Sequence, residues 1–488
     1  MTDTSLSSSP ADPSYVPDPR RWKALAVCFV GGFVTMLDVS IVNVTLPSIQ
    51  TALRAGATQL QLIVAGYSLS FGLVLVPFGR LGDARGRRRM FMIAMAGFAA
   101  MSLLAGLSQT DTQLAAARLL QGAFAGMSNP QVSGMIQHMF RGRERAKAFG
   151  FFGAIIGVST AIGPLIGGVI LALAGTQTGW RWVFFINVPI CLAVLPLARR
   201  LLPAPGPATG STRLDIIGLV FIGLGTATFM APFVTTPNSG FFDAPWRWAW
   251  LIPAVVLAPA TYFWERRYQH KYQAAVLNPG LLKDASFRYG AALGCAYFAG
   301  FTALMLVLSM MLQSGLGYTA LVTGLVQLPY AVASGTAASQ AGRLVPTMGR
   351  KLVVGGLAAS LIGLLIVILV IRASAPTAIV WTLAAALLLM GAGNGAVISP
   401  NQALTFQDVP PRYGSVAGAV LQVGQRTGSA IGVAIVLAVY LSTFTSQIAS
   451  AGATSAARQA AGTALLISAV FIAVALVIAV LDLRRRSH

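Results

Sequence analysis

Apolar runs of about 20 residues recur along the whole chain, separated by short polar or basic stretches. At about 1.5 Å of rise per residue, such a run is what a helix needs to cross roughly 30 Å of hydrocarbon. The pattern predicts fourteen helices, near residues 24–45, 59–78, 90–108, 112–134, 147–174, 181–198, 214–235, 246–264, 288–312, 320–341, 351–372, 377–401, 414–440 and 461–481. An even number puts both termini on one side of a bilayer. The 34 basic residues test that register, because short loops rich in Lys and Arg stay in the cytoplasm. Of these, 27 fall on the side of the termini, Arg54, Arg181, Arg247, Arg372 and Arg458 on the other, and Arg118 and Arg426 inside helices. One miscounted helix would mix the two sets from the error onward, so their segregation predicts fourteen crossings with both ends cytoplasmic.

Composition narrows the picture. The chain is 56% hydrophobic and 10% charged, with a mean hydropathy of +0.73, whereas a soluble domain carries about 25% charged residues. The net charge of +21 sits in short clusters between apolar runs, the pattern of a protein in contact with anionic membrane lipids rather than nucleic acid. Cys28, Cys191 and Cys295 lie in apolar runs without metal-ligand or CxxC spacing. The cytoplasmic connections at 199–213 and 265–287 are too short for a soluble domain. No serine elbow, HExxH pattern, phosphate loop ending in GK[ST] or pair of intramembrane carboxylates occurs. The expectation is therefore a non-enzyme without cofactor or metal, working on an ion gradient or by simple facilitation. The PWRWAW cluster at 245–250 reads as an interface anchor.

Residues 79–89 read GRLGDARGRRR, and the same glycine and basic spacing returns at Gly342, Arg343, Gly349, Arg350 and Lys351. The chain thus carries a repeat. Asp38, in CFVGGFVTMLDVSIVNVTLPSI, is the one acidic residue well inside a predicted crossing. As an anion there it calls for a proton, a hydrated cavity or a positive partner. Three roles stand open: proton coupling, contact with a cationic substrate, or a brace at a helix junction. Arg118, in ARLLQGAFAG, must also be paired or hydrated, since arginine keeps its proton. Asp38 is its candidate partner, and a conformational change that parts them would act as a proton switch.

In the fifth run, Gly153 and Gly157 precede GPLIGG, which carries Gly163, Pro164, Gly167 and Gly168. This is a hinge or a small-residue packing seam. Asn43, Tyr67, Gln121, Asn129, Tyr297, Gln327, Tyr330 and Asn394 line a central cavity or bond locally. Tyr67 and Tyr330 lead, because each stands twelve residues before the first glycine of its copy of the loop motif, and repeat-related helices tend to enclose a substrate.

Taken together these stretches resemble the major facilitator superfamily, and within it the fourteen-helix drug:proton antiporters, over almost the full chain. GRLGDARGRR at 79–88 is similar to the signature loop between helices two and three, with Gly79, Asp83, Gly86, Arg87 and Arg88 at the expected spacing. LDVSIVNVTLP at 37–47 resembles the first-helix signature, and ARLLQGAFAG at 117–126 the fourth-helix motif whose arginine is linked to proton coupling. GVSTAIGPLIGG at 157–168 resembles the fifth-helix motif of exporters, and GWRWVFFINVP at 179–189 fits the fourteen-helix branch.

The resemblance implies an all-α integral membrane protein of the major facilitator fold, with 14 transmembrane helices. It places an N-terminal six-helix bundle at 21–200, two inserted helices and linkers at 201–286 and a C-terminal six-helix bundle at 287–482. A disordered cytoplasmic tail (1–20) and a basic cytoplasmic tail (483–488) flank them. It further implies a monomer in the cell inner (plasma) membrane whose bundles rock about a central cavity. Gating would use the loop and fifth-helix motifs, with Asp83 bonded to a neighbouring helix end and to Arg87 or Arg88. The second loop copy has Pro346 where Asp83 stands in the first, so that latch lacks a carboxylate at this place. Asp215, Glu265, Asp284, Asp408 and Asp482 are expected near helix ends or in loops, which weighs against dicationic substrates. The expected function is proton-coupled antiport exporting hydrophobic or monocationic drugs or antibiotics from the cytoplasm, as in multidrug efflux. The alternatives are export of a specific metabolite, or a membrane sensor or scaffold that keeps the fold without transport.

Overall fold

The computed structural model describes residues 18–204, 215–234, 245–272, 284–375, 378–407, 409 and 414–486; residues 1–17 of the tail expected at 1–20 and the last two residues lie outside them. The regular elements described are all helical. They are α1 (Arg21–Leu53), α2 (Ala57–Gln61), α3 (Tyr67–Arg85), α4 (Arg87–Leu107), α5 (Asp111–Met139), α6 (Gly142–Ala174), α7 (Gly179–Phe185), α8 (Asn187–Leu201), α9 (Ile216–Val234), α10 (Leu251–Tyr272), α11 (Ala285–Met310), α12 (Ala320–Met348), α13 (Arg350–Ala373), α14 (Ile379–Thr405) and α15 (Gly414–Arg486). Helices follow from the solvent: in hydrocarbon an open segment satisfies its own N–H and C=O groups only by coiling on itself. Nine helical stretches among the described residues are long and apolar enough to cross a membrane.

Local chemistry sets several boundaries. A single residue, Gly86 with φ 95°, joins α3 to α4, a backbone angle that suits glycine. Side chains of Thr110, Asp284 and Thr319 cap α5, α11 and α12 by accepting from Gln113, Ser286 and Val322 N–H groups. A π-helical turn at Leu62–Gly66 links α2 to α3, and another at Met311–Gly315 ends α11.

Two expectations are corrected. The predicted connection between residues 440 and 461 is helical, and α15 is interrupted only at Gly452, with φ 75° and ψ 159°. That stretch is polar but rich in Ala and Ser and free of proline, so its polarity removes it from the apolar count without breaking a helix. Likewise Glu265 lies inside α10 and is 1% exposed, whereas Asp482 stands near the end of α15, as expected, and is 2% exposed. Helix α10 continues beyond its apolar run to Tyr272, so Glu265 falls within helix.

Two packing groups emerge. In the first, α1 packs on α6, α8 and α5, α3 on α5, and α4 on α5 and α8; in the second, α11 packs on α15, and α14 on α12 and α13. The α9–α10 pair stands beside them, joined where Trp264 Nε1 donates to Asp215 at 2.9 Å. The groups meet where α6 crosses α12 and α3 runs along α15. At the first crossing an added Cβ at Gly324 would stand 2.6 Å from the Pro164 oxygen, and one at Gly168 2.7 Å from the Ala320 oxygen. Only small residues let backbones approach this closely. Large apolar side chains such as Leu173 (84% exposed) and Trp381 (78%) face outward, as hydrocarbon permits.

Candidate functional site

Inside the first packing group, Asp38 and Arg118 are 0% and 1% exposed and form an ion pair. Helix α1 brings the carboxylate and α5 the guanidinium. Arg118 Nη1 donates to Asp38 Oδ2 and, at 2.8 Å, to Gln121 Oε1. The other carboxylate oxygen, Oδ1, accepts from Gln121 Nε2 at 3.0 Å and from Asn187 Nδ2 at 2.8 Å. Gln121 Nε2 also donates to Ser102 Oγ at 2.7 Å. Arg118 Nε reaches the Ile63 carbonyl in the π-helical turn at 3.3 Å. Its guanidinium carbon lies 4.2 Å from the Tyr67 ring centroid, and the Tyr67 hydroxyl donates to the Thr35 carbonyl at 3.2 Å.

Side chains from α5 and α8 therefore converge on one carboxylate of α1, with Ser102 of α4 and Tyr67 of α3 behind them, and the i, i+3 spacing of Arg118 and Gln121 turns both toward it. A buried ion pair is stable only when its remaining donors and lone pairs are satisfied, and the amides do that here. Such a site can hold the pair charged. Two of the Asp38 partners share one turn of α5 and the third, Asn187, comes from α8.

The sequence candidates distribute unevenly. Asp38, Arg118, Gln121 and Tyr67 join this one cluster. Tyr297, Tyr330 and Asn394 form another in the second group: Tyr297 OH bonds to Asn394 Oδ1 at 2.5 Å, Asn394 donates to Ser334 Oγ at 2.8 Å, and Phe301 stacks between the Tyr297 and Tyr330 rings. Gln327 bonds within its own group, to Ser309 Oγ at 3.0 Å. Asn129 spans the groups, accepting from Gln422 at 2.8 Å. Asn43 is buried on α1 and makes no side-chain hydrogen bond among the described residues.

Among the loop residues, Arg87 donates to the Gly134 carbonyl at the end of α5, and Arg88 to the Leu202 carbonyl after α8 at 3.3 Å. Gly79 packs on Pro130. The side chain of Asp83 and the surroundings of Gly157 lie outside the described residues. Gly163 and Gly167 press on α1 at Ser40 and Ile41, while Gly168 faces α12, so this run forms a packing seam around Pro164.

Asn187 and Ser102 were not among the sequence candidates. Asn187 belongs to GWRWVFFINVP, a stretch whose only signal was family likeness; a neutral amide in an apolar helix does not stand out as a buried charge does.

Comparison with known proteins gives matching results. The sequence matches the Major Facilitator Superfamily over residues 28–214 and 208–433. It is 32% identical over 413 residues to a probable actinorhodin transporter of Streptomyces coelicolor, covering 84% of this chain and 71% of the relative. It is 33% identical over 416 residues to a puromycin resistance protein of Streptomyces alboniger, covering 84% and 80%. The fold is similar to that of a bacterial homologue of the human lysosomal transporter Spinster in an inward-facing, occupied conformation. There the TM-score is 0.67 at 14% identity, over 96% of this chain and 98% of the other.

Proposed function

The chain belongs to the major facilitator superfamily, and from that premise we propose that it exports a hydrophobic drug or antibiotic from the cytoplasm in exchange for protons. The observation that carries this reading is the fully buried Asp38–Arg118 pair, an intramembrane carboxylate held by side chains from α5 and α8. Relatives named for actinorhodin transport and puromycin resistance support the direction and the substrate class.

In the proposed cycle Asp38 takes a proton from outside and substrate leaves. The two groups then rock inward, and Asp38 releases its proton to the cytoplasm as new substrate binds. Arg118 competes with the proton for the carboxylate. Gln121 and Asn187 hold the acid in place through both states. Tyr297, Tyr330 and Asn394 face the substrate from the second half, and Asn43, Asn129 and Gln327 contribute polar contacts. Gating falls to the loop at Gly79, Asp83, Gly86, Arg87 and Arg88 and to the seam from Gly157 to Gly168.

The topology we propose has fourteen crossings, with α2 and α3 counted as one, α7 and α8 as one, and α15 as two divided at Gly452. The bundles occupy 21–200 and 287–482, and the inserted pair lies between them. Segregation of the basic residues supports cytoplasmic termini in a plasma (inner) membrane. The protein acts as a monomer among lipids.

The test is proton release on adding candidate compounds to the detergent-purified protein, wild type against Asp38→Asn. Release that disappears in the variant supports the coupling role. Full proton-driven export by Asp38→Asn in vesicles would refute it.

A further inference from the structure

One intramembrane charge is not used by the proton site. Arg426, on α15 one turn beyond Gln422, reaches out of the second packing group into the first. Its guanidinium carbon stands 4.1 Å from the Phe71 ring centroid on α3, and its Nη2 lies 3.3 Å from the Met36 sulfur on α1. Its stem packs where α3 has Gly72. The side chain is half-buried, and among the described residues it has no carboxylate partner.

The charge balance follows. Asp38 and Arg118 cancel, so among the described residues Arg426 adds one uncompensated positive charge where the two groups meet. A guanidinium stays charged and offers five N–H donors in a rigid fork. A ring face and a thioether engage it weakly, so most of its capacity for an oxyanion is unused.

We propose that Arg426 is the docking point for an acidic group on the exported compound, which is then a hydrophobic anion carrying a carboxylate, phenolate or similar acid rather than a monocation. This rests on the export reading above and narrows its substrate class. The fork binds such a group through two parallel hydrogen bonds, and the Phe71 ring holds the guanidinium by a cation–π contact. Asn129 and Gln422, paired across the interface one turn away, frame the same place with neutral polar groups. A cation there meets like charge. Export of an anion also carries negative charge outward, down an interior-negative potential, so its rate rises with that potential while export of a neutral compound by the same proton count responds less.

The test uses three probes with one apolar body: pyrenebutyrate, its methyl ester, and the matching pyrenylbutyl trimethylammonium. Binding to the purified full-length protein and proton-driven movement in vesicles are both read. The wild type is expected to bind the acid at least about tenfold more tightly than the ester, with the cation weakest, a preference of the size a charge-assisted hydrogen bond supplies. Arg426→Gln is expected to bring the acid down to the level of the ester while leaving ester binding unchanged, which also verifies folding. Arg426→Lys should keep part of the preference. Ester or cation bound as tightly as the acid by the wild type, or a preference that survives in Arg426→Gln, overturns the inference and leaves the export reading standing. If none of the three moves with the proton gradient, the export reading fails and the inference falls with it.

Discussion

Arg350 and Asp482 form an ion pair, Nε to Oδ2 at 2.8 Å, with Arg350 5% and Asp482 2% exposed. Arg350 opens α13 in the second copy of the glycine and basic loop, where Pro346 stands in place of the carboxylate. The acid arrives instead from the far end of α15. Arg350 also donates to Asn401 Oδ1 at 3.0 Å and to Ser286 Oγ at 3.2 Å, so one guanidinium ties α11, α13, α14 and α15 together. Removing one partner of a buried pair strands the other charge and costs about 3–5 kcal/mol, whereas replacing both by apolar residues is often neutral. Asp482→Ala is therefore expected to lower the thermal unfolding temperature in detergent markedly, and Arg350→Met with Asp482→Leu to restore most of it. Equal stability of the single variant and wild type would show the pair is idle.

Asn187 makes the second prediction. Its Nδ2 donates at 2.8 Å to the same Asp38 oxygen that Gln121 serves. A hydrogen bond to a charged group contributes about 1.5–3 kcal/mol, and each 1.36 kcal/mol is a factor of about ten. Asn187→Leu should slow gradient-driven export by at least about tenfold at equal protein level in the membrane. An unchanged initial rate of efflux would mean Gln121 alone suffices.

These two residues show what was legible in the sequence. Helices were legible because hydrocarbon demands long apolar runs, and Asp38 and Arg118 because a charge in such a run is costly enough to require a reason. Asn187 carries no such cost, and 149 residues separate it from the carboxylate it serves. Glu265 reads as a helix end but lies inside α10, since hydropathy locates the membrane boundary and helical hydrogen bonding continues past it. The same gap explains the connection before residue 461, where Ala and Ser keep α15 helical outside the apolar run. The glycines of α6 were legible as small, but only the approach of α1 and α12 makes them a seam.

Tyr67 separates ring from hydroxyl. The ring lies under Arg118 with 4.2 Å between guanidinium carbon and centroid, while the hydroxyl makes one bond to the Thr35 carbonyl. Tyr67→Phe loses that bond, about 1 kcal/mol, and should retain most export. Tyr67→Ala removes a fully buried ring as well, about 3–5 kcal/mol, and leaves Arg118 free to leave Asp38. The expected order of export, measured per folded molecule, is wild type, then Phe, then a nearly inactive Ala. Equal loss in both variants would shift the role to the hydroxyl.

The α6–α12 seam distinguishes packing from gating. A Cβ at Gly324 would stand 2.6 Å from the Pro164 oxygen, a backbone atom that cannot turn aside, so Gly324→Val must push the helices apart. Overpacking of this kind costs about 1–3 kcal/mol, which a protein of this size tolerates. If the seam only packs, the variant will be less stable while export per folded molecule stays the same. If closing the seam is a step of the cycle, export per folded molecule will fall more than stability does, because the wedge opposes one state and spares the other. We expect the second result, read as efflux rate against the amount of folded protein in the same membranes. The Gly335→Val control lies on the same helix, where an added Cβ meets nothing within 4 Å, and should leave both quantities near wild type.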